Sequence, residues 1–380
     1  MPSIKLGYNA VPRSARALVR QVWLSGQFSP GPMVREFEKQ FASAHGAKHA
    51  VFVNSGTDAL RLSLLALKEK YGWKDGDSVF VPTITFVATI NAVLQAKLAP
   101  VFVDVGFNGT MNIEKLEWFY KTSVYDDAKA LMLVHMFGAR PDFRRAIPLA
   151  KKHNLKIIED SCETLLNPLQ GSVSCHSTYM AHHLTTGVGG FAVMNDDGLN
   201  LLTRSYANHG RNTDYLPGYC KGTDIRKRFR FDRIGYSCRG TEFEAALGLA
   251  QMNGLKRHIA RRREIAMALY DALDAWEFNM QNPYADPSHT FMMYPIIIKE
   301  NSKIRKYHLC NYLERHGIET RDMMPITTQP CYQQVFNKEQ LSYHPMAELI
   351  NKNGFYIPCH PGMTKKDVHY IKQVFNKYLK

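Results

Sequence analysis

Two adjacent histidines, His182 and His183, precede a threonine pair and the glycine pair Gly189 and Gly190 in the stretch TYMAHHLTTGVGG. An imidazole has an ordinary pKa of about 6.5, so it can take up and return a proton at neutral pH. The other interpretations are a metal ligand and a buried structural histidine. Adjacent side chains on an extended turn diverge, and the sequence offers no third ligand nearby. Acid–base chemistry is therefore favoured over metal binding, and no metal site is expected.

Small residues and carboxylates mark two further positions where chemistry could take place. The segment VNSGTDAL places Gly56 and Thr57 where a helix begins, which suits a phosphate group, although Ser-Gly-Thr-Asp is also an ordinary helix cap. The segment IIEDSCE ends an apolar run with Asp160 and Glu163. A carboxylate in that place either caps a helix or pairs with a protonated ring nitrogen of a cofactor.

Short apolar runs alternate with amphipathic segments through the first two thirds of the chain. The predicted strands are HAVFVN, SVFVP, APVFVDV, KALMLVHMFG and KIIEDS, and the predicted helices are VREFEKQFASAHG, SGTDALRLSLLALKEKYG, TFVATINAVLQA and DFRRAIPLAKKHN. This alternation predicts an α/β domain with a mostly parallel, buried sheet, in which ligands bind at the carboxyl ends of the strands.

The pattern changes after residue 255. Two basic helical segments, 255–274 and 303–316, flank the apolar run FMMYPIII, and a helix KKDVHYIKQVFNKYL closes the chain. These features predict a second, smaller α+β domain. We expect a large cofactor-binding domain with an N-terminal arm at 1–255 and a small domain at 256–380.

Composition narrows the class of protein. Apolar residues make up 45% and charged residues 22% of the chain, which is ordinary for a globular protein. The sequence has no apolar run long enough to span a membrane and no apolar signal segment at its start, so a cytoplasmic location is expected. The seven cysteines show no CxxC spacing, which favours reduced thiols.

The net charge of +14 leaves two interpretations open. The basic residues are mostly dispersed, and we find no zinc-finger spacing and no aromatic–basic repeat, so no nucleic-acid partner is expected. The charge then belongs either to an ordinary solvated surface or to a surface that attracts a small polyanion such as a nucleotide diphosphate.

The order of these segments resembles the nucleotide-sugar aminotransferase family, which consists of pyridoxal-phosphate enzymes of fold type I. The resemblance runs over about residues 5–378, through PTITFVATINAVL, VHMFGARPDF, IIEDS, HHLTTGVGGFAVMNDD, RSYANHGR, EFEAALGLAQM and YIPCHPGMTKKDVHYI in the family's order. It implies a large domain whose mostly parallel sheet lies between helices, and a smaller C-terminal α+β domain.

The resemblance also assigns the cofactor site. Gly56, Thr57 and Ser177 would bind the phosphate of the cofactor. Phe86 would stack on the pyridine ring, although it could instead be a core residue of an amphipathic helix. Asp160 would pair with the ring nitrogen and keep it protonated, which makes the ring an electron sink.

One position departs decisively from the aminotransferases. Their turn reads roughly Ser-Phe-Tyr-Pro-x-Lys-x-Leu-Thr-Thr-Gly-Glu-Gly-Gly, and the lysine joins the cofactor covalently and moves protons. Here His182 stands at the lysine position, and no lysine occurs between Lys156 and Lys221. Histidine cannot form that bond, so we expect a noncovalently held pyridoxamine 5'-phosphate or pyridoxal 5'-phosphate with His182 as its acid–base group. Met180 and Val188 also replace a proline and a glutamate of the family.

A histidine in place of the lysine is typical of the sugar 3-dehydratase branch of this family. Glu163, where aminotransferases usually have glutamine, and the segment GIETR with Arg321 resemble the same branch. The resemblance implies removal of the 3-hydroxyl group from a nucleotide-linked 4-keto-6-deoxyhexose, with glutamate as the amino donor. It adds Glu163 and Ser237 as cofactor contacts, and we expect His183 and Arg321 to contact the substrate. The alternatives are a nucleotide-sugar aminotransferase and a noncatalytic cofactor-binding protein.

Two further expectations concern clusters and assembly. Related enzymes with CDP-linked substrates carry an iron–sulfur cluster on four cysteines, of which Cys162 and Cys220 match the first two. Gly222 and Arg230 occupy the other two positions, so no cluster is expected. Ser237 stands where the family has an asparagine that reaches the neighbouring subunit's phosphate, and the resemblance implies a homodimer with composite active sites and no membrane partner.

Overall fold

The computed structural model describes residues 3–8, 11–121, 128–216, 224–273, 276–323 and 325–380, and the predicted positions Cys220 and Gly222 lie outside these ranges. The strands are β1 (His49–Val53), β2 (Ser78–Pro82), β3 (Ala99–Val103), β4 (Ala130–Val134), β5 (Lys156–Asp160), β6 (Val173–Ser177), β7 (Gly190–Met194), β8 (Phe278–Met280), β9 (Tyr294–Ile298), β10 (Arg321–Asp322) and β11 (Gly354–Ile357). The helices are α1 (Ala15–Ser25), α2 (Pro32–Ala44), α3 (Gly56–Tyr71), α4 (Val87–Gln95), α5 (Ile113–Lys121), α6 (Phe143–Lys152), α7 (Asp197–Ala207), α8 (Glu242–Met252), α9 (Leu255–Ala272), α10 (Lys306–Arg315), α11 (Pro330–Gln333), α12 (Lys338–Leu341), α13 (Pro345–Asn353) and α14 (Lys365–Leu379).

The larger sheet has the strand order β1-β7-β6-β5-β4-β2-β3 among the described residues. Strands β3, β2, β4, β5 and β6 pair in parallel, whereas β7 runs antiparallel to both β6 and β1. The predicted α/β class with a mostly parallel sheet is therefore confirmed.

Both faces of this sheet are buried, because successive residues of a strand point to opposite faces. In β2, Val79 and Val81 belong to the apolar core formed with α3 and α4, while Phe80 belongs to the core formed with α5 and α6. In β4, Met132 faces the first core and Leu133 the second. A strand buried on both faces reads as a continuous apolar run, which explains why the strands could be identified in the sequence.

The smaller sheet has the order β10-β11-β9-β8 and is antiparallel throughout. Its apolar core includes residues of α9, α10 and α14, such as Leu269, Leu313 and Ile371. The N-terminal arm also packs here, since Ile4 lies in this core and forms a parallel bridge with Ile318.

The chain crosses between the two sheets more often than the predicted division at residue 255 suggests. Ile326 and Tyr332 lie in the core of the larger sheet, and the Tyr332 hydroxyl contacts the Asn91 side chain of α4 at 2.8 Å. A further apolar cluster joins the two parts and contains Val134 of the larger sheet and Ile297 of the smaller one. The boundary at 255 stays a prediction. The N-terminal arm, which the predicted boundary assigns to the large domain, packs on the smaller sheet, and the segment 325–341, which it assigns to the small domain, packs on the larger sheet.

In the described part of the chain, no helix combines the length and the apolar character that crossing a bilayer would require.

Candidate active site

The strand register brings the predicted site residues to one edge of the larger sheet. Gly190, the first residue of β7, pairs with Val53 at the end of β1 and with Ser177 at the end of β6. Asp160, the last residue of β5, pairs with Cys175 of β6. The loops that follow β1, β5 and β6 therefore meet at the carboxyl edge, where ligands bind in such sheets.

The beginning of α3 forms a narrow cradle at this edge. Ser55 caps the helix by accepting a hydrogen bond from the Asp58 N–H at 3.1 Å, which confirms the predicted cap. A side chain at Gly56 would place its Cβ 2.7 Å from the Cys162 sulfur and 2.9 Å from the Ser177 Cβ, so only glycine fits there. The first N–H groups of a helix have no partner within the helix, and they attract an anion. Gly56 and Ser177 therefore meet at the start of α3, and the phosphate contacts of Gly56, Thr57 and Ser177 stay a prediction.

The Asp160 carboxylate is buried beside this cradle and is held by two donors. The Thr89 hydroxyl donates to Oδ2 at 2.7 Å, and the Cys162 N–H donates to Oδ1 at 3.2 Å. Thr89 in turn contacts the Thr85 hydroxyl at 2.6 Å. Sequence reasoning missed both threonines, because Thr85 lies before the N-cap of α4 and Thr89 in its first turn, and their contact arises where the chain enters the helix.

His182 is half-buried, and its Nδ1 lies 2.5 Å from the carbonyl oxygen of Cys162. A carbonyl only accepts hydrogen bonds, so this contact assigns the proton to Nδ1 and leaves the lone pair on Nε2. Burial lowers the pKa of His182 below its usual value, and the nearby Arg262 acts in the same direction. The Cys162 carbonyl and the Asp160 charge oppose that shift. The imidazole is therefore neutral at pH 7, with one nitrogen able to accept a proton.

His183 points elsewhere and is 7% exposed. Its Nε2 lies 3.1 Å from both the carbonyl oxygen of Glu163 and the hydroxyl of Thr290. The two histidines thus fasten the turn to the carbonyls of consecutive residues, Cys162 and Glu163, just after β5. This placement fits a residue that shapes the turn, and the expected substrate contact of His183 stays a prediction.

Glu163 lies at the junction of the two sheets. Its carboxylate accepts a hydrogen bond from the Phe137 N–H at 2.5 Å, and Phe137 has a left-handed φ of 56°. Burial raises the pKa of Glu163 to about 7, a net value that includes the opposing hydrogen bond from Phe137 and a smaller raising effect of the Asp160 charge. This carboxyl group can therefore donate or accept a hydrogen bond at neutral pH.

Phe86 occupies the N-cap position of α4 and is 55% exposed. The alternative that it is a core residue is therefore wrong, because the residue precedes the helix and its ring faces outward. The Phe86 carbonyl accepts a hydrogen bond from the Thr89 N–H at 3.1 Å, so this exposed aromatic residue lies in the same turn as the threonine that contacts Asp160. An exposed ring is available to stack on a flat ligand.

The two remaining predicted residues lie farther from this centre. Ser237 is exposed, and its hydroxyl accepts a hydrogen bond from Arg239 at 3.1 Å. Arg321 is exposed on β10 and forms an ion pair with Glu319 at 2.5 Å, opposite Tyr356 of β11. Within one chain neither side chain is shown to reach the cradle, and both roles stay predictions.

The donor set fits a pyridine cofactor that carries a phosphate. A helix N-terminus with no room for a side chain at Gly56 suits the phosphate, a buried carboxylate at Asp160 suits a protonated ring nitrogen, and Phe86 suits the ring face. Among the described residues, no group of three or more histidine, cysteine or acidic side chains is arranged to hold a metal ion.

Known proteins resemble this chain in sequence and in fold. The chain is 31% identical over 366 residues to the GDP-perosamine synthase of Escherichia coli O157:H7, covering 94% of this chain and 92% of that protein. It is 29% identical over 384 residues to the GDP-4-keto-6-deoxy-D-mannose 3-dehydratase of Escherichia coli O55:H7, covering 94% and 95%. A solved structure of a GDP-4-keto-6-deoxymannose-3-dehydratase with a trapped PLP-glutamate geminal diamine superposes with a TM-score of 0.87 at 26% identity, over 98% of this chain and 100% of the other.

These relatives agree with the fold and with the cofactor class expected from the sequence, and they include both a synthase and a dehydratase. The model of one family matches residues 12–376, nearly the whole chain. The resemblance is therefore confirmed: the chain belongs to the DegT/DnrJ/EryC1/StrS aminotransferase family.

Proposed function

We propose that the protein is a pyridoxamine-phosphate-dependent 3-dehydratase that acts on a nucleotide-linked 4-keto-6-deoxyhexose. The observation that carries the proposal is His182 at the lysine position, with the Nε2 lone pair unprotonated and no lysine from 157 to 220. When bound, the cofactor supplies an amino group and an electron-accepting ring. The neighbouring enzyme with a trapped PLP–glutamate adduct supports this cofactor and glutamate as the amino donor.

The residues around the cradle would hold the cofactor without a covalent bond. The N–H groups of Gly56 and Thr57 and the hydroxyl of Ser177 would bind its phosphate. Asp160 would carry the negative charge opposite the ring nitrogen, and Phe86 would cover one face of the ring. Glu163 would form a further polar contact with the cofactor.

His182 would move the proton. Its Nε2 takes up a proton during the reaction and can return it to the departing 3-hydroxyl group, which leaves as water. The hydrogen bond from Nδ1 to the Cys162 carbonyl keeps the ring oriented during both transfers. Because the pKa of His182 is lowered, the imidazole is in its basic form at pH 7.

A second candidate is transfer of the amino group to the 4-keto sugar, and the similarity to a GDP-perosamine synthase favours it. That relative has the higher identity of the two enzymes compared. The absence of a lysine near the turn favours dehydration, because the proton transfers of transamination ordinarily depend on that lysine. Arg321 and His183 are the proposed sugar contacts in either case.

We also propose a cytoplasmic homodimer in which Ser237 and the basic run 226–230 reach the partner's site. Arg239 holds the Ser237 hydroxyl at 3.1 Å on an exposed surface, which would suit such a contact.

Substitution of His182 tests the proposal. The products formed from pyridoxamine phosphate, glutamate and a panel of GDP-, CDP- and dTDP-4-keto-6-deoxy sugars are read by mass spectrometry for loss of water against gain of nitrogen. We expect loss of water with the natural protein, and a fall of roughly 10²–10⁴-fold in rate for His182→Asn, the usual scale for a lost general base. His183→Asn is the comparison and should cost much less, because His183 is proposed to contact the sugar without moving a proton. An amino sugar as the product, or full turnover in His182→Asn, would refute the dehydratase assignment.

A further inference from the structure

We propose that Thr89 is a positioning residue that fixes the Asp160 carboxylate for the cofactor ring and aligns His182 through Cys162, an inference that rests on the proposed function. The hydrogen-bond partners of the Thr89 hydroxyl are Asp160 and Thr85, and nothing in the family resemblance assigned Thr89 a role. It acts through another side chain, so it is not itself catalytic.

The hydrogen bonds that join Thr85, Thr89 and Asp160 have a fixed direction. An ionised carboxylate only accepts, so the single hydroxyl proton of Thr89 is donated to Asp160 Oδ2 at 2.7 Å. The Thr89 oxygen then accepts from the Thr85 hydroxyl at 2.6 Å. Thr85, Thr89 and Asp160 are 1%, 0% and 5% exposed, so water cannot replace either donor without a rearrangement of the core.

The other carboxylate oxygen of Asp160 links these hydrogen bonds to His182. Asp160 Oδ1 accepts from the Cys162 N–H at 3.2 Å, and the carbonyl of the same residue accepts from His182 Nδ1. The N–H and the carbonyl belong to the two peptide units on either side of the Cys162 Cα, so the backbone of this one residue links the carboxylate to the group that orients the imidazole. The Thr89 hydroxyl restrains the carboxylate more tightly than the Cys162 N–H does, because its hydrogen bond is shorter, at 2.7 Å against 3.2 Å.

The location of Thr89 explains why it can act as a fixed donor. It lies in the first turn of α4, whose residues Ile90 and Val93 are fully buried against the larger sheet. A β-branched side chain in a helix has few accessible rotamers. Threonine hydroxyls in helices usually bond to their own backbone, as Thr203 does to the Leu199 carbonyl in α7 at 2.8 Å. The Thr89 hydroxyl is instead directed at a carboxylate 71 residues away in the chain.

Loss of this hydroxyl should affect the cofactor more than the fold. Thr89→Val keeps the shape of the side chain and leaves Asp160 Oδ2 without its buried donor. A hydrogen bond to a charged group contributes enough to predict roughly 10- to 100-fold weaker binding of pyridoxamine phosphate. Without this donor the carboxylate is held less firmly against the ring nitrogen, so that nitrogen of the bound cofactor should lose its proton at a lower pH.

The experiment uses the full chain without any sugar substrate. We measure the dissociation constant of pyridoxamine phosphate by fluorescence and the pH titration of its bound absorbance. Thr89→Val should show both changes, Thr89→Ser should restore both to near the natural values, and Thr203→Val, another fully buried helical threonine, should change neither. The melting temperatures of the two cofactor-free valine variants should be similar.

Natural binding and titration in Thr89→Val would overturn the inference, as would failure of Thr89→Ser to restore them. If Thr89→Val yields no folded protein, Thr89→Ala removes the same hydroxyl and is held to the same outcomes. A natural protein that binds the cofactor but removes no water from any sugar would refute the proposed dehydration and leave the role of Thr89 standing. Removal of water by the natural protein, together with natural cofactor binding and titration in Thr89→Val, would support the proposed dehydration and refute the role of Thr89.

Discussion

A buried histidine should make the protein sensitive to mild acid. His45 is 1% exposed, its Nδ1 donates to the Phe41 carbonyl at 2.8 Å, and its Nε2 accepts from the Leu166 N–H at 3.1 Å. Protonation of Nε2 would break the second bond and place a charge between the rings of Phe41 and His176, 4.3 and 4.4 Å away. Burial accordingly lowers the pKa of His45 from 6.5 to about 4, against weaker opposing effects of the Phe41 carbonyl and the Glu159 charge.

The sign and size of the effect follow from this shift. Above pH 6.5 the imidazole is neutral in both states, so its contribution to stability is fully present. As the pH falls toward about 4, the unfolded chain binds a proton and the folded chain does not, so stability is lost. From pH 7 to pH 5 the loss is about 2 kcal/mol, and over the whole window it is about 3 kcal/mol.

Urea unfolding followed by tryptophan fluorescence measures this loss. His45→Gln should be less stable at pH 7 but should lose about 2 kcal/mol less than the natural protein on going to pH 5. His369→Gln, a substitution on the exposed face of α14, is the matched control and should leave the pH dependence unchanged. Equal pH dependence in His45→Gln and the natural protein would show that His45 is not the buried neutral group described.

Four further outcomes are expected. Borohydride should leave no cofactor covalently attached, because no lysine lies between 156 and 221, and a reduced phosphopyridoxyl-lysine peptide would contradict this. Gly56→Val should weaken pyridoxamine-phosphate binding by at least about tenfold, because its Cβ would collide with the Cys162 sulfur. Gly7→Ala is the control and should leave binding unchanged, because the space around Gly7 is open; equilibrium dialysis measures both. The acidic limb of the kcat/KM profile should lie below pH 6.5, since the pKa of His182 is lowered and its neutral form is the base; a limb above pH 7 would point to another group. Light scattering should show a dimer, and full activity from a monomer at micromolar concentration would rule out composite sites.

Local sequence patterns predicted the elements that depend on local physics. Strands such as β4 could be identified because residues buried on both faces form unbroken apolar runs, and the start of α3 could be identified because Ser55 is a strong N-cap. The resemblance to a family placed Gly56, Asp160 and Ser177, and the register of β1, β5, β6 and β7 now explains why these distant residues meet.

The contacts that the sequence could not predict depend on which elements become neighbours. The Thr89 hydroxyl meets Asp160 only because the start of α4 lies over the end of β5, and periodicity carries no information on strand order. The same holds for the Phe137 N–H on Glu163 and for His183 on the Glu163 carbonyl. The packing of Ile4 against Ile318 joins residues more than three hundred positions apart, for which no local signal exists.

The repeated crossing of the chain between the two sheets has a consequence for fragments of the protein. A single cut at Gly254, between α8 and α9, would leave the arm around Ile4 in the core of the smaller sheet and the segment around Tyr332 in the core of the larger one. Each piece would then contribute a segment to the core of the other, so the two pieces should stay together after proteolysis. Each half expressed alone would lack part of its own core, so the enzyme should be recoverable from two co-expressed fragments but not from either one by itself.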